Sequence, residues 1–182
     1  MRKLYLIFIA CLISISTQAT DHLYFLGIEM DYSISKFEKK LRFNGLTISP
    51  KTYQQPAGIR IYNGRFSGEK AEIIVWYNTK SKRVYRAKAM ICRHGKDQIE
   101  RLTKTIKGKL DAKYGVSKKY SEETKDAHQQ KYTKCLYYNY CGTVELYISS
   151  TDFDTDSDYY LHVDYKDKEN YSKYGHNEID DI

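Results

Sequence analysis

Four aspartates at alternate positions of TDFDTDSDYY, residues 151–160, are the strongest local indication of chemistry in the chain. They are Asp152, Asp154, Asp156 and Asp158. A helix–loop–helix calcium loop needs glycine at its sixth position and glutamate at its twelfth, whereas this sequence has Ser157 and Val163 there. We therefore predict a solvent-exposed hairpin connection, whose side chains hydrogen-bond to the local backbone and oppose edge-to-edge pairing. A weak calcium site of looser geometry is the alternative.

Cysteine and histidine offer a second possible chemistry. Cys92 and His94 lie two residues apart, and Cys135 and His162 fall on other predicted strands. Together they could ligate zinc or form a thiol nucleophile with its base. The sequence contains neither a CxxC nor an HExxH motif. We therefore predict structural roles for these side chains, with no catalytic residue and no cofactor.

Three cysteines that follow the N-terminal apolar segment are disulfide candidates, because an exported chain meets an oxidising compartment. They are Cys92, Cys135 and Cys141. Pairing of Cys92 with Cys135 across neighbouring strands is preferred, which leaves one free thiol. An extended strand would hold Cys135 and Cys141 roughly 20 Å apart, too far for a bond, unless a turn at 138–139 brings them together.

The first nineteen residues have the three parts of a secretory signal peptide. Arg2 and Lys3 are followed by the apolar run 4–16, and small residues end the segment at Ala19. The run is too short to span a bilayer as a helix. We predict cleavage after Ala19 and a secreted or periplasmic product. A lipid anchor at Cys11 is the less favoured alternative.

Charge is distributed unevenly along the chain. Residues 80–120 contain fourteen Lys or Arg and three acids, whereas residues 143–182 contain eleven acids and three lysines. This asymmetry indicates either two partners of opposite charge or two regions that face each other. Export argues against nucleic acid as the partner of the basic region. No second hydrophobic stretch approaches membrane length, so we predict no transmembrane segment in the mature chain.

Two sets of side chains are candidates for weak binding. Lys104 and Lys107 lie on the basic face of a predicted helix, which could contact anionic headgroups or polysaccharide. Tyr137, Tyr138 and Tyr140 could stack on sugars or on a protein partner. Because alternate residues of a strand point to opposite faces, about half of the tyrosines in this part of the chain must face inward.

Apolar spacing places the elements that would position these groups. Residues 31–45 and 97–115 repeat apolar side chains with helical spacing, and Ser33 or Ser35 can cap the first helix. The predicted strands are 58–66, 71–78, 83–93, 131–140, 143–149 and 158–167. Residues 83–93 do not alternate cleanly, so we expect a bulge there or burial on both faces. Residues 121–130 are predicted to be a polar loop.

The order helix, strands, helix, strands predicts an α+β fold, an antiparallel sheet with two helices packed on one side. The two halves have a similar order, which hints at a structural duplication. We expect a single domain over 20–170, followed by a loose polar tail over 171–182.

Six sequence segments occur in the order FLGIEMDYSISKFEKKLRFNGL, GRFSGEKAEIIVWYN, LDAKYG, CGTVELYIS, VDYKDKEN and the terminal DDI. Together they resemble an uncharacterised family of small secreted proteins common in Bacteroides and its relatives. The resemblance implies an architecture like that of the β-lactamase-inhibitor protein, and it carries over no functional residue. Fold likeness alone does not give function. We expect a non-enzymatic binding module whose partner is an envelope or extracellular protein or a glycan, with an uncharacterised secreted hydrolase as the alternative.

Overall fold

The computed structural model describes residues 22–123, 131–150 and 158–175. The predicted signal peptide and Cys11, the first three aspartates of the Asp-rich stretch, and the end of the predicted tail lie outside these residues. Within the described residues, no helix combines the length and the apolar character needed to cross a membrane.

The described residues form three helices and ten strands. The helices are α1 (Ile34–Phe43), α2 (Lys96–Tyr114) and α3 (Lys168–Tyr174), with a short 3₁₀ helix at Pro50–Gln54. The first five strands are β1 (Tyr24–Phe25), β2 (Ile28–Glu29), β3 (Thr47–Ile48), β4 (Ile59–Phe66) and β5 (Glu69–Tyr77). The others are β6 (Val84–His94), β7 (Lys118–Glu123), β8 (Lys131–Asn139), β9 (Gly142–Ser150) and β10 (Asp158–Asp167).

Eight strands form one antiparallel sheet in the order β3-β4-β5-β6-β10-β9-β8-β7. Each half consists of a helix followed by four strands that pair in sequence, and the halves join where β6 pairs with β10. The predicted α+β fold and the similar order of the two halves are therefore confirmed. The small β1–β2 hairpin precedes the first half.

The helical spacing predicted from the sequence matches the buried faces of both long helices. Ile34, Phe37 and Leu41 of α1 are buried, and α2 buries Ile99, Ile106 and Leu110. Helix α1 begins after Ser33, whose side chain makes no capping hydrogen bond. Helix α2 ends at Gly115, where φ is +81°, a left-handed conformation that glycine adopts without strain.

The core lies between these two helices and one face of the sheet. A row of buried side chains crosses five strands through their paired positions: Ile73, Ala89, Val163, Leu146 and Cys135. These residues, with the buried faces of α1 and α2, belong to one continuous cluster. Both long helices thus pack on the same face of the sheet, as predicted.

Strand β6 contains the irregularity expected from its broken alternation. Trp76 pairs with Arg86 but the next residue, Tyr77, pairs with Val84, so Tyr85 is an extra residue in β6. Such a bulge turns a side chain to the other face of the sheet. Tyr85 accordingly lies 6.0 Å from Tyr171 of α3, measured between ring centroids.

Two segments expected to be irregular are ordered elements. Strand β7 reaches into the region predicted as polar loop and is the edge of the sheet, where a polar strand is well suited. Helix α3 overlaps the predicted loose tail, which was therefore placed too early. Asp167 caps α3 by accepting a 3.0 Å hydrogen bond from the Asn170 backbone, and the Asn170 side chain donates to carbonyls of Met30 and Val84.

Candidate functional site on the open face of the sheet

The sheet face opposite α1 and α2, here called the open face, carries a concentration of charged and aromatic side chains. Because Ala87, Ala89 and Ile91 point into the core, alternation after the bulge sends Arg86 and the even-numbered residues that follow it in β6 to the opposite face. Pairing extends this face across the neighbouring strands. Its main members are Trp76, Arg86, Lys88, Met90, Cys92, Lys134, Tyr138, Glu145, Tyr147, Ser149, Tyr160, His162, Asp164 and Lys166.

A buried ion pair joins the two halves of the sheet on this face. The Arg86 guanidinium donates to both carboxylate oxygens of Asp164 over 2.5–3.1 Å. The Asp164 side chain is 1% exposed and that of Arg86 19%, so the pair is well shielded from solvent. The basic and acidic regions of the sequence therefore face each other at this point, one of the two arrangements that the charge asymmetry predicted.

A second group of charges lies on β8, β9 and β10. Glu145 accepts a 2.8 Å hydrogen bond from Lys166 and lies 3.2 Å from the Lys134 ammonium. Burial alone would raise the pKa of Glu145, but the hydrogen bond and charge of Lys166, together with the charge of Lys134, outweigh it and lower that pKa. Glu145 is therefore ionised between two cations at neutral pH.

In the described part of the chain, no acid pairs with Lys88 as Glu145 pairs with Lys134 and Lys166. Lys88 is directly opposite Asp164 in the strand pairing, yet the Asp164 oxygens bind Arg86 instead. Burial is the first cause of a lowered pKa for Lys88; the charges of Arg86 and Lys166 add to it, and the Asp164 carboxylate opposes it. Lys88 Nζ lies 5.4 Å from the centroid of the Trp76 ring.

Trp76 is flanked by cations on the open face. The Arg86 guanidinium carbon lies 4.3 Å from the centroid of the Trp76 ring, a distance at which cation–π attraction is significant. The indole is partly exposed. Held by Arg86 and next to Lys88, it offers an aromatic surface near the end of β5.

His162 is buried in the same face and is unsuited to proton transfer near neutrality. Its Nε2 is 2.7 Å from the Ser149 hydroxyl, and its ring stacks on Tyr147 with centroids 4.5 Å apart. Burial, with the charges of Lys88 and Arg86, lowers the pKa of His162 to about 3. Its Nδ1 has no hydrogen-bond partner within the described parts of the chain. The imidazole is therefore neutral and a weak base.

Two clefts lie at diagonally opposite corners of the open face. One, of about 730 Å³, is lined by Lys51, Glu72, Met90, Cys92 and Tyr160 among others, and a 2.6 Å ion pair joins Lys51 to Glu72. The other, of about 500 Å³, lies between the β8–β9 hairpin and α3, where Tyr138, Lys166 and Tyr171 contribute to its walls. The charged centre of the sheet connects the two.

No disulfide bond joins the three candidate cysteines in the described part of the chain. Cys92 lies on β6 and Cys135 on β8, with β10 and β9 between them, so the preferred pairing across neighbouring strands does not fit the sheet order. Residues 135–139 are extended and the hairpin turn falls at Tyr140-Cys141, so Cys135 and Cys141 stay apart along the strand. Burial, followed by the charge of Asp158, raises the pKa of Cys92, the opposite of what a thiol nucleophile needs.

The predicted binding residues do not form one site. Tyr137 is 2% exposed and packs in the core, where its hydroxyl donates to Asp111 over 2.9 Å, so its assignment to a binding surface is wrong. Tyr138 and Tyr140 are 55% and 68% exposed. Lys104 and Lys107 lie on α2, on the other side of the sheet, and Lys107 pairs with Asp111. Of the five, Tyr138 alone contributes to an open-face cleft.

The Asp-rich stretch lies between β9 and β10, which pair antiparallel as predicted. Asp158, its one described aspartate, is exposed and lies 3.5 Å from His94 Nδ1. Asp152, Asp154 and Asp156 lie outside the described residues. Among the described residues, no cluster of three or more His, Cys, Asp or Glu side chains has the arrangement of a metal site.

Sequence reasoning missed the central residues of this face, although a signal was present. RAKAMIC, residues 86–92, alternates Arg86, Lys88, Met90 and Cys92 with small or apolar residues. Charged residues at every second position of a central strand indicate a polar sheet face. The net charge of residues 80–120 does not reveal this alternation, because it sums charges from both faces of the strand and from the helix that follows. The sequence gives no indication that Asp164 pairs with its diagonal neighbour Arg86 rather than with Lys88, which lies directly opposite it.

In comparisons of the sequence and the fold with known proteins, no protein-family model, curated protein or solved structure matches this chain.

Proposed function

We propose that this protein is an exported, non-enzymatic binding module of the cell envelope that holds a partner protein on the open face. The observation that carries the proposal is the partly exposed Trp76, fixed against Arg86 near the end of β5, on a sheet whose other face is covered by α1 and α2. Sheet strands hold such side chains rigidly, so little conformational entropy is lost when a partner binds.

The residue types of the open face favour a protein partner over a sugar. Trp, Tyr, Met and Arg are enriched in protein–protein interfaces, and Trp, Tyr and Arg dominate their binding energy. Met90 and Tyr160 line one cleft of this face and Tyr138 lines the other, and Trp76 lies on the same face against Arg86. The width of this face, from β4 to β8, suits a macromolecular surface better than a single sugar ring.

The chemistry of the same face gives little support to a hydrolase. A nucleophilic thiol needs a lowered pKa, and that of Cys92 is raised. A general base works best with a pKa near the working pH, and that of His162 is about 3. Near neutral pH, Cys92 stays a protonated thiol and His162 is too weak a base. Neither side chain is therefore suited to nucleophilic or acid–base catalysis.

Export is part of the proposal and rests on the tripartite sequence of residues 1–19. We expect the product outside the cytoplasm to begin at or near Thr20, which intact-mass spectrometry of the periplasmic and extracellular fractions would establish. A lipid-modified product that begins at Cys11 would replace this proposal with a membrane-anchored one.

Site-specific photocrosslinking tests the binding surface. A photoreactive benzoylphenylalanine replaces Met90 on the open face in one variant and the exposed Lys104 of α2 in a matched control. We expect a discrete crosslinked protein from position 90 and none from position 104. Once that protein is identified and purified, Trp76→Ala should weaken the complex at least tenfold. Crosslinking from position 104 instead, or binding that is indifferent to Trp76→Ala, would place the interface elsewhere.

A further inference from the structure

Lys88 lies at the centre of the open face as a mostly buried ammonium without a counterion. Among the residues that the structure describes, no carboxylate is within salt-bridge distance of its Nζ. The carboxylate that faces it across the strand pair, Asp164, is occupied by three hydrogen bonds from Arg86. Asp164 thus lies opposite Lys88 but forms its ion pair with Arg86.

The surrounding charges leave an excess of positive charge at this point. Arg86 is matched by Asp164, and Glu145 is shared by Lys134 and Lys166. Lys88 therefore remains unmatched, and the group as a whole has four cations and two anions. A shielded, unpaired charge lowers stability unless something compensates it, and a bound anion would supply that compensation.

Trp76 and Met90 provide apolar surface next to the Lys88 ammonium. The Trp76 ring is 5.4 Å from Lys88 Nζ, and Met90 is the next residue of β6 on the same face. An anion that meets Lys88 would therefore be partly desolvated by apolar surface. Charge-assisted hydrogen bonds are strongest in such shielded places.

We infer that Lys88 Nζ is the anchor for one carboxylate, an aspartate or glutamate side chain of the partner protein, with Trp76 packing beside it. This inference rests on the proposed function and names the chemistry that the partner must present. A flat, acidic peptide segment fits better than a phosphate group, because the excess positive charge is spread along the sheet. A phosphate group is bound best by several donors that converge on one point. Arg86, committed to Asp164, positions Trp76 and does not bind the ligand.

A selection from a random peptide library, made on the immobilised mature protein, tests this anchor. Enriched peptides are synthesised in pairs, with the recurrent acid and with its amide, and titrated against wild type, Lys88→Gln and the matched control Lys104→Gln. We expect acid-to-amide replacement to weaken binding about tenfold or more to wild type and to Lys104→Gln. The same replacement should change binding to Lys88→Gln less than twofold. Thermal melting confirms that each variant is folded.

Other results separate failure of the anchor from failure of the open face as a binding surface. Peptides that lose affinity with Trp76→Ala but show the same acid dependence with Lys88→Gln would overturn the anchor alone. Peptides that are indifferent to Trp76→Ala would overturn the proposed function. A trigalacturonate oligosaccharide that binds more tightly than any peptide, and loses affinity with Lys88→Gln, would show that the carboxylate belongs to a glycan and would overturn the protein partner.

Discussion

Replacement of Arg86 by leucine should expose how closely Arg86, Lys88 and Asp164 depend on each other. The change removes the three hydrogen bonds that Asp164 accepts and leaves its 1%-exposed carboxylate without its partner. Removing one member of a buried ion pair typically destabilises a protein by about 3–5 kcal/mol. Here the loss should be smaller, because Lys88 is directly opposite Asp164, with Cβ atoms about 5 Å apart.

Lys88 can therefore take over the carboxylate in the Arg86→Leu protein. We expect Arg86→Leu to lower the free energy of unfolding by about 2 kcal/mol and Arg86→Leu/Lys88→Gln by about 4 kcal/mol, the range for a buried charge left alone. Lys88→Gln by itself should not destabilise the protein, so the two changes would be coupled by about 2 kcal/mol. The matched control Arg42→Leu removes an exposed helical ion pair with Glu38 and should cost about 0.5 kcal/mol or less.

Equilibrium urea unfolding at pH 7 measures these four variants. If the double variant is no less stable than Arg86→Leu, Lys88 does not reach Asp164, and the view of these three residues as one system is wrong.

Three further predictions concern charge and metal binding. His22 is held by Asp167 at 3.1 Å, with Asp31 and Glu169 nearby; burial opposes protonation, but the Asp167 hydrogen bond and the three acids raise the pKa of His22. His22→Asn should therefore lower the free energy of unfolding by about 1.5 kcal/mol at pH 6, and this difference should vanish as the pH rises through the raised pKa; a pH-independent difference would contradict the ion pair. The lowered pKa of Lys88 means that folding disfavours its charged form, so Lys88→Met should raise stability at pH 7 by about 0.5–2 kcal/mol, a gain that shrinks as the pH rises from that lowered pKa toward 10.5; destabilisation in urea titrations would show that the ammonium has a structural partner. Micromolar calcium should leave the melting temperature nearly unchanged, because stabilisation requires metal well above its dissociation constant; a rise of several degrees that is lost with Asp154→Asn and Asp156→Asn would establish a calcium site.

The elements with strong periodicity were predictable because one physical effect determines them. Apolar spacing places α2 within one residue of its observed start, and the broken alternation of 83–93 anticipates the bulge at Tyr85. Helix α3 was missed because its apolar pattern is weak, and its position depends on the distant carbonyls of Met30 and Val84. Local sequence carries no record of such long-range hydrogen bonds.

The candidate site was less predictable because it depends on strand register. The pairing of Lys88 with Asp164 joins residues 76 positions apart, and no turn near either residue fixes it. The tyrosines illustrate the same limit: Tyr137 and Tyr138 are neighbours in sequence, yet one is buried in the core and the other is exposed. Alternation indicates that they face opposite ways, but only the assembled sheet shows which one faces outward.

Fluorescence of Trp76 tests the central claim, that the open face is the binding surface, most directly. Trp76 is the only tryptophan in the chain and lies partly exposed on that face, near the end of β5, so its emission reports on this surface alone when the ligand lacks tryptophan. Addition of a selected peptide, or of the crosslinked partner with its tryptophans replaced by phenylalanine, should shift the emission to shorter wavelength and reduce quenching by acrylamide. Both changes should follow a saturation curve that gives the same dissociation constant as calorimetry. Saturable binding that leaves the emission and the quenching of Trp76 unchanged would contradict the claim.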